Sequence, residues 1–167
     1  CKRALSSSNE SGKYTATLKN KVLKSISNYI HDDTKKIIQA NNMDIKNAQK
    51  NGLKDSMIDR LILNDRRIES MRDGLSKIIT IPDTLYKTSK GQKQKNGILV
   101  SQMRVPLGVI GIIYESRPND TIDAAGLCIK SGNSVILRGG SESINSNKAL
   151  MNCIKKALKI NKLNEYM

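Results

Sequence analysis

Two short apolar segments in the second half of the chain restrict its fold most. The first is the apolar run Leu107–Tyr114, and the second is Ser134–Arg138. The roughly 20 residues between them include a helix start near Pro118, and a connection of that length joins parallel strands through a right-handed crossover. The pattern therefore predicts a β-α-β unit, with its first strand buried on both faces.

The first 80 residues or so show helical rather than strand periodicity. Apolar residues recur at spacings of three and four, lysines lie between them, and cap residues separate the repeats. The pattern predicts four helices: one around Leu18–Ile30, one from Asp33 or Thr34 to Asn51, a short one around Met57–Leu61, and one from Asn64 that ends before Pro82.

The remainder divides at a change of composition. Residues 83–96 are rich in lysine and poor in apolar side chains, which predicts a basic loop. From residue 97 the sequence is α/β in character: Ile98–Val105 is rich in β formers, and a last helix is expected from about Ser143. The chain thus divides into helices at 1–82, a loop at 83–96 and an α/β region at 97–167.

Charge and aromatic content limit the classes of partner. The chain has 29 Lys and Arg against 15 Asp and Glu, a net charge of +14. This excess suits an anionic ligand, or it reflects a general bias toward lysine. All aromatic residues are tyrosines, only 3% of the chain, which disfavours a nucleic-acid binder that stacks bases. No apolar run reaches the roughly 20 residues of a membrane span, and no signal peptide is visible.

The cysteines and the single histidine give no sign of a metal site. Cys1, Cys128 and Cys153 lack metal-binding spacing, and their odd number favours a reducing compartment. His31 lies beside two aspartates at an expected helix end, where a solvated role is favoured over metal binding. We therefore predict no metal.

Two segments follow the predicted parallel strands, where ligands bind in open α/β sheets. The second segment, Arg138–Ser141, contains Gly139 and Gly140, whose backbone can approach a ligand closely. Arg138 adds a planar cation, and Ser141 with the residues after it can present free N–H groups at a helix start. The segment is either a phosphate or dinucleotide site or a plain turn, because it matches neither the GxGxxG nor the P-loop pattern.

The first segment, Tyr114–Asn119, contains a candidate catalytic amide. The Asn119 side chain can donate a hydrogen bond to an oxyanion. It can instead simply cap the helix that follows. The residues alone leave both roles open.

A family resemblance rests on Val105–Asn147, whose sequence is VPLGVIGIIYESRPNDTIDAAGLCIKSGNSVILRGGSESINSN. This stretch resembles gamma-glutamyl phosphate reductase, of the aldehyde dehydrogenase superfamily. Upstream, NNMDIKNAQKNGL and RIESMRDGL agree with it, so the resemblance covers about residues 15–160. It implies an α/β fold: N-terminal helices, then the first βαβα part of a Rossmann-like cofactor domain, with residues 97–167 forming the first half of the NADPH-binding domain.

The resemblance also implies an activity. Family members reduce L-glutamyl 5-phosphate with NADPH to L-glutamate 5-semialdehyde and phosphate, in L-proline biosynthesis. A cysteine thiolate attacks the acyl phosphate, and the hydride releases the aldehyde from the thioester. A cytoplasmic enzyme follows from this, with a homo-oligomeric full-length form and glutamate 5-kinase as a candidate partner.

Roles for individual residues are likewise implied by the resemblance. Asn119 matches the oxyanion donor, and Arg138 matches a basic residue facing the ribose 2′-phosphate. Ser141 stands where NAD-preferring relatives often carry a glutamate, which fits NADPH. The remaining residues expected to line the cofactor groove are Ile113, Tyr114, Glu115, Gly139 and Gly140.

The nucleophilic cysteine and the catalytic domain are expected to lie outside this chain. Cys128 and Cys153 fall on the inner faces of predicted helices and are expected to be buried. We therefore expect an inactive N-terminal part of the reductase. The alternative is a non-catalytic nucleotide-binding or scaffold protein that retains the fold.

Overall fold

A computed structural model describes all residues, 1–167, as seven helices and four short strands. In chain order the elements are α1 (Lys2–Ser11), α2 (Ala16–Asp32), α3 (Thr34–Lys50), α4 (Asp55–Leu61), α5 (Asp65–Thr80), β1 (Gln92–Lys93), β2 (Leu99–Val100), β3 (Val109–Ile113), α6 (Pro118–Lys130), β4 (Ser134–Arg138) and α7 (Ile144–Ile160). A single 3₁₀ turn, Ser141–Ser143, precedes α7.

The β-α-β unit predicted from the apolar segments is present. Strands β3 and β4 pair in parallel, with Val109 opposite Ser134 and Ile113 opposite Arg138. Gly132 has a φ of 69°, so it adopts the left-handed conformation that ends α6. The prediction that the first strand is buried on both faces was wrong, because β3 is at most half-buried and Ile113 is 79% exposed. The sheet has only two strands, so each has an unpaired edge.

Side-chain caps account for two of the helix starts. Thr15 accepts a hydrogen bond from the Leu18 N–H at the start of α2. Asn64 accepts one from the Arg67 N–H at the start of α5, as the sequence predicts. Asp33 precedes α3 without such a bond, because its carboxylate instead pairs with Lys36 and Lys156.

Residues 83–105 form a small antiparallel hairpin. Gln92 lies opposite Val100 and Lys93 opposite Leu99. The expected loop therefore contains a strand, and the β-rich stretch after residue 97 pairs with it rather than with the parallel sheet. Sequence periodicity cannot show this, because both strands are only two residues long and exposed on both faces.

One hydrophobic core joins the N-terminal helices to the α/β part. Leu23 of α2, Leu75 of α5, Ile122 of α6 and Leu150 of α7 are completely buried in the same cluster. Helix α2 packs against α5, α6 and α7. The β-α-β unit is therefore supported on the helical region rather than standing beside it.

A buried group of charges lies where α2, α6 and the segment after α5 meet. The Lys19 side chain is 1% exposed and pairs with Asp83. Lys130 donates to the Asn20 side chain and to the Ile79 carbonyl. Burial alone would raise the pKa of Asp83, but hydrogen bonds from Lys19 and from the Leu85 N–H outweigh it, so this pKa is lowered.

None of the helices is both long and apolar enough to span a membrane.

We predict that Asp83→Asn destabilises the fold by about 3–5 kcal/mol, because it leaves the buried Lys19 charge without its partner. Urea unfolding at neutral pH measures the loss. The control is Asp59→Asn, since Asp59 is 70% exposed in its pair with Arg67, and exposed pairs contribute about 1 kcal/mol or less. Because the folded pKa of Asp83 is lowered, its contribution is present above the unfolded pKa and is lost as the pH falls through the folded one. Equal effects of the two substitutions would contradict the prediction.

Candidate functional site

The carboxyl ends of β3 and β4 lie side by side. Ile113 pairs with Arg138, and the Tyr114 N–H donates to the Arg138 carbonyl at 3.1 Å. The two segments singled out in the sequence, Tyr114–Asn119 and Arg138–Ser141, therefore begin at the same edge of the sheet. This is the edge at which open α/β sheets bind ligands.

A directed chain of hydrogen bonds ties these segments to α6 and α7. Ser143 Oγ donates to the Gly140 carbonyl at 3.1 Å and accepts from Asn147 Nδ2 at 2.9 Å. Thr121 Oγ1 donates to Asn147 Oδ1 at 2.9 Å, so the contact between Tyr114 and Thr121, at 2.7 Å, has the tyrosine hydroxyl as donor. Burial raises the pKa of Tyr114, which keeps this donor protonated.

Close packing against the chain itself explains both glycines of the turn. A Cβ on Gly139 would collide with the Asn147 amide and lie 3.0 Å from the Tyr114 ring. A Cβ on Gly140 would lie 2.5 Å from a Glu142 carboxylate oxygen. Both glycines thus lie in close contact with the chain itself, at Gly140 with the movable ends of two side chains, and by themselves they do not indicate a ligand.

The N–H groups at the start of α7 are not free, contrary to the prediction made for the residues after Ser141. The Asp44 carboxylate of α3 accepts from the Asn145 N–H at 3.1 Å and from the Ser146 N–H at 2.7 Å. Asp44 is 1% exposed, so the helix start is occupied by an internal anion. For these two N–H groups the prediction failed, because their acceptor lies 101 and 102 positions away in the sequence.

A buried amide extends this contact toward the other helices. Asn41 Nδ2 donates to Ser146 Oγ at 3.0 Å and to the Leu61 carbonyl at 2.8 Å. The sequence analysis missed both Asn41 and Asp44. Their spacing could have identified them, since Ile37, Asn41, Asp44 and Ala48 recur at intervals of four, three and four on the buried face of α3.

Asn119 is the second residue of α6, not its cap. The cap position is Arg117, with Pro118 at the first helical position. The Asn119 side chain is half-buried and forms no hydrogen bond within the chain. The capping role is therefore wrong, and the oxyanion role stays a prediction.

Arg138, Glu115 and Ile113 face solvent at the same edge. The Arg138 side chain is exposed and has no ion-pair partner in the chain. Glu115 forms an exposed ion pair with Arg60 of α4 at 3.3 Å. Ser141 is also exposed, so Arg138 and Ser141 are both accessible to an anion from outside.

Glu142 is a site residue that the sequence analysis overlooked. Its Oε2 accepts a hydrogen bond from Ser116 Oγ at 2.9 Å, across the gap between the two strand ends. Hydrogen bonds from its own N–H and then from Ser116 lower its pKa, so it is anionic. The sequence Ser-Glu-Ser after two glycines predicts only a helix start. Nothing in it indicates the contact between Glu142 and Ser116.

No group of three or more His, Cys, Asp and Glu side chains is arranged to hold a metal ion.

Comparison with known proteins shows what the chain is similar to, although no family model matches it. Gamma-glutamyl phosphate reductase of Thermodesulfovibrio yellowstonii is 48% identical over 158 residues, which is 95% of this chain and 38% of the relative. The chain is homologous to the N-terminal part of gamma-glutamyl phosphate reductase. The same reductase from Halothermothrix orenii is 51% identical over 83% of this chain and 33% of its own length.

Solved structures agree with this homology. The crystal structure of gamma-glutamyl phosphate reductase from Thermotoga maritima matches with a TM-score of 0.93 and 38% identity, over 99% of this chain and 40% of that one. A putative aldehyde dehydrogenase from Bacillus subtilis, 22% identical with a TM-score of 0.70, shares the fold. The α/β fold expected from the resemblance is confirmed, and the chain spans between a third and two fifths of its relatives' length.

The two helix cysteines, Cys128 and Cys153, are unsuited to act as nucleophiles. Cys128 and Cys153 are buried, as expected, at 4% and 1% exposure. Burial raises the pKa of Cys128, and burial together with the Asp33 carboxylate raises the pKa of Cys153 to about 11. Cys1 is exposed, and it borders an apolar groove along β4 rather than the strand ends.

We predict that one thiol of the native chain reacts rapidly with a disulfide reagent near neutral pH and that two react only after unfolding. At about pH 8 a thiol with a pKa near 11 is thiolate in only about one molecule in a thousand, and burial blocks access as well. Cys1→Ser removes the fast phase and serves as the control. A second fast thiol in the native chain would contradict the structure.

Proposed function

We propose that this chain is the cofactor-binding part of an enzyme that reduces L-glutamyl 5-phosphate with NADPH to L-glutamate 5-semialdehyde and phosphate, in L-proline biosynthesis. The observation that carries the proposal is 48% identity to a gamma-glutamyl phosphate reductase over 95% of the chain. In this proposal residues 97–167 form the first half of the NADPH-binding domain, carried on the helical region 1–82 and joined to it by the basic segment 83–96.

The residues at the strand ends fit a phosphorylated dinucleotide. Arg138 offers a guanidinium with no partner in the chain, and Ser141, three residues further along, offers an exposed hydroxyl. We propose that this pair binds the ribose 2′-phosphate. Gly139, Gly140 and the end of β3 would line the rest of the cofactor groove. A planar guanidinium matches a phosphate with two parallel hydrogen bonds. NADPH, when bound, supplies the hydride.

Residues Ile113, Tyr114 and Glu115 would form the wall of the groove. The Tyr114 ring packs against Gly139, and the hydrogen-bond chain that begins at its hydroxyl fixes the turn in place. Fixing the turn before the ligand arrives reduces the entropy that binding must overcome.

Asn119 is the one residue of the chain to which we assign a catalytic role. Its amide has no partner in the chain, so it is available to donate to an oxyanion as the acyl carbon is attacked. We place the thiol nucleophile outside the three cysteines, since Cys128 and Cys153 are buried with raised pKa values and Cys1 borders the groove along β4, away from the strand ends. We therefore propose that the chain binds the cofactor but does not by itself turn over substrate.

The burial of both helix cysteines also favours the second candidate function, a nucleotide-binding or scaffold protein without catalysis. Partners and location follow the first proposal: a homo-oligomer in the full-length enzyme, glutamate 5-kinase as a functional partner, and the cytoplasm, which agrees with three free thiols.

We predict that Arg138→Ala weakens binding of NADPH to this chain by about tenfold and changes binding of NADH by less than about twofold. The reason is that only NADPH carries the 2′-phosphate assigned to Arg138. Isothermal titration of both cofactors measures the two dissociation constants. Arg104→Ala is the matched control, because Arg104 is an equally exposed arginine on the hairpin side. Equal losses for the two cofactors would contradict the 2′-phosphate role.

A further inference from the structure

The position of the Glu142 carboxylate is the least expected feature of the site. It lies over the Gly139–Gly140 turn, so close that a Cβ on Gly140 would be 2.5 Å from Oε2. Its hydrogen-bond donor, Ser116, belongs to the other strand's segment. A negative charge of the chain itself therefore occupies the space between the strand ends.

No cation of the chain holds this carboxylate. Arg138 and Arg117, the nearest arginines in sequence to the turn and to Ser116, are exposed and form no ion pair with it. Its donors are its own N–H, the Ser116 hydroxyl at 2.9 Å across the gap, and the Ser141 hydroxyl. All three donors are neutral, and such hydrogen bonds are weaker than those from a cation, so an incoming anion can replace the carboxylate at the Ser116 hydroxyl at modest cost.

The same hydroxyl is suited to a phosphate. Ser116 Oγ has one proton to donate, and it cannot serve Glu142 and a ligand oxygen at once. A phosphate entering between the strand ends also meets the like charge of the carboxylate, which opposes its binding. The two anions therefore exclude one another from this position.

We propose that Glu142 is a specificity-determining residue: its carboxylate occupies the Ser116 donor between the strand ends, and a ribose phosphate of the cofactor must displace it. The inference rests on the proposed function, since it places the cofactor at this edge of the sheet. Glu142 thereby sets how strongly the site distinguishes phosphorylated from unphosphorylated nucleosides.

Glu142→Gln tests the proposal in the full 167-residue chain. Glutamine keeps the size of the side chain but removes its charge, so a phosphate no longer meets a like charge there. We expect 2′,5′-ADP to bind about tenfold more tightly than to the wild type, with adenosine unchanged within about twofold. A gain confined to 2′,5′-ADP supports the proposal for a 2′-phosphate, and an equal gain for 5′-AMP supports it for a 5′-phosphate.

Two further variants separate this contact from a general effect of charge. Glu69→Gln removes an exposed carboxylate on α5, paired there with Arg72, and should leave all three dissociation constants unchanged. Ser116→Ala removes the shared donor. In the Ser116→Ala background the gain from Glu142→Gln should be smaller than in the wild type, because the relief of like-charge repulsion remains but the freed hydroxyl donor is gone. Thermal melts show that the variants are folded.

The outcomes separate this inference from the proposed function. If NADPH binds the wild type and Glu142→Gln leaves 2′,5′-ADP binding unchanged or weaker, this inference is overturned and the proposed function stands. An equal gain for adenosine also overturns it. If NADPH and all three probes fail to bind the folded wild type, the proposed function fails and the inference fails with it.

Discussion

The buried carboxylate of Asp44 is the contact on which the arrangement of the site depends. It accepts hydrogen bonds from the backbone and side chains of Asn145 and Ser146, and so holds the start of α7 against α3. An anion at a helix start interacts favourably with the helix dipole and satisfies N–H groups that have no partner within the helix. The turn Gly139–Ser143 leads directly into this start, so the helical region determines where the turn lies.

From that fixed point the site is built in two layers. The inner layer is the chain of hydroxyl and amide groups from Tyr114 to the Gly140 carbonyl, all of which have partners. The outer layer is Arg138, Ser141 and Asn119, whose side chains have no partner in the chain or face solvent. Rigid support beneath free polar groups is the arrangement expected of a binding site. Glu142 lies between the layers and adds a negative charge next to the glycines of the turn.

The local features were predictable because short-range rules determine them. The left-handed glycine at 132 and the Asn64 cap follow from residues a few positions apart, and the parallel pairing follows from two apolar segments and the length of the connection between them. Asp33 occupies the N-cap position of α3, as predicted, but its carboxylate pairs with lysines, one of them Lys156, instead of bonding the helix N–H groups. The prediction that β3 is buried on both faces failed too, because the burial of a strand depends on its neighbouring strands as well as on its own sequence.

Long-range features were the ones that the sequence did not reveal. Asp44 reaches Ser146 across 102 positions, and Ser116 reaches Glu142 across 26. Both contacts change the interpretation of the site: the first removes the α7 start as a phosphate site, and the second places a carboxylate beside the glycines. The spacing of Asp44 on the buried face of α3 indicates a buried polar residue that needs a hydrogen-bond partner, but it does not indicate that the partner is the start of α7.

The central claim is that a nicotinamide dinucleotide phosphate binds at the carboxyl ends of β3 and β4. Titration of the ¹⁵N-labelled chain with NADPH, followed by amide chemical shifts, tests it most directly. The account predicts that the largest shift changes fall on Tyr114–Ser116 and Gly139–Glu142. Largest changes in the lysine-rich groove between α3 and α7, at Lys155 and Lys159, would contradict it, because binding would then follow surface charge instead of the strand ends.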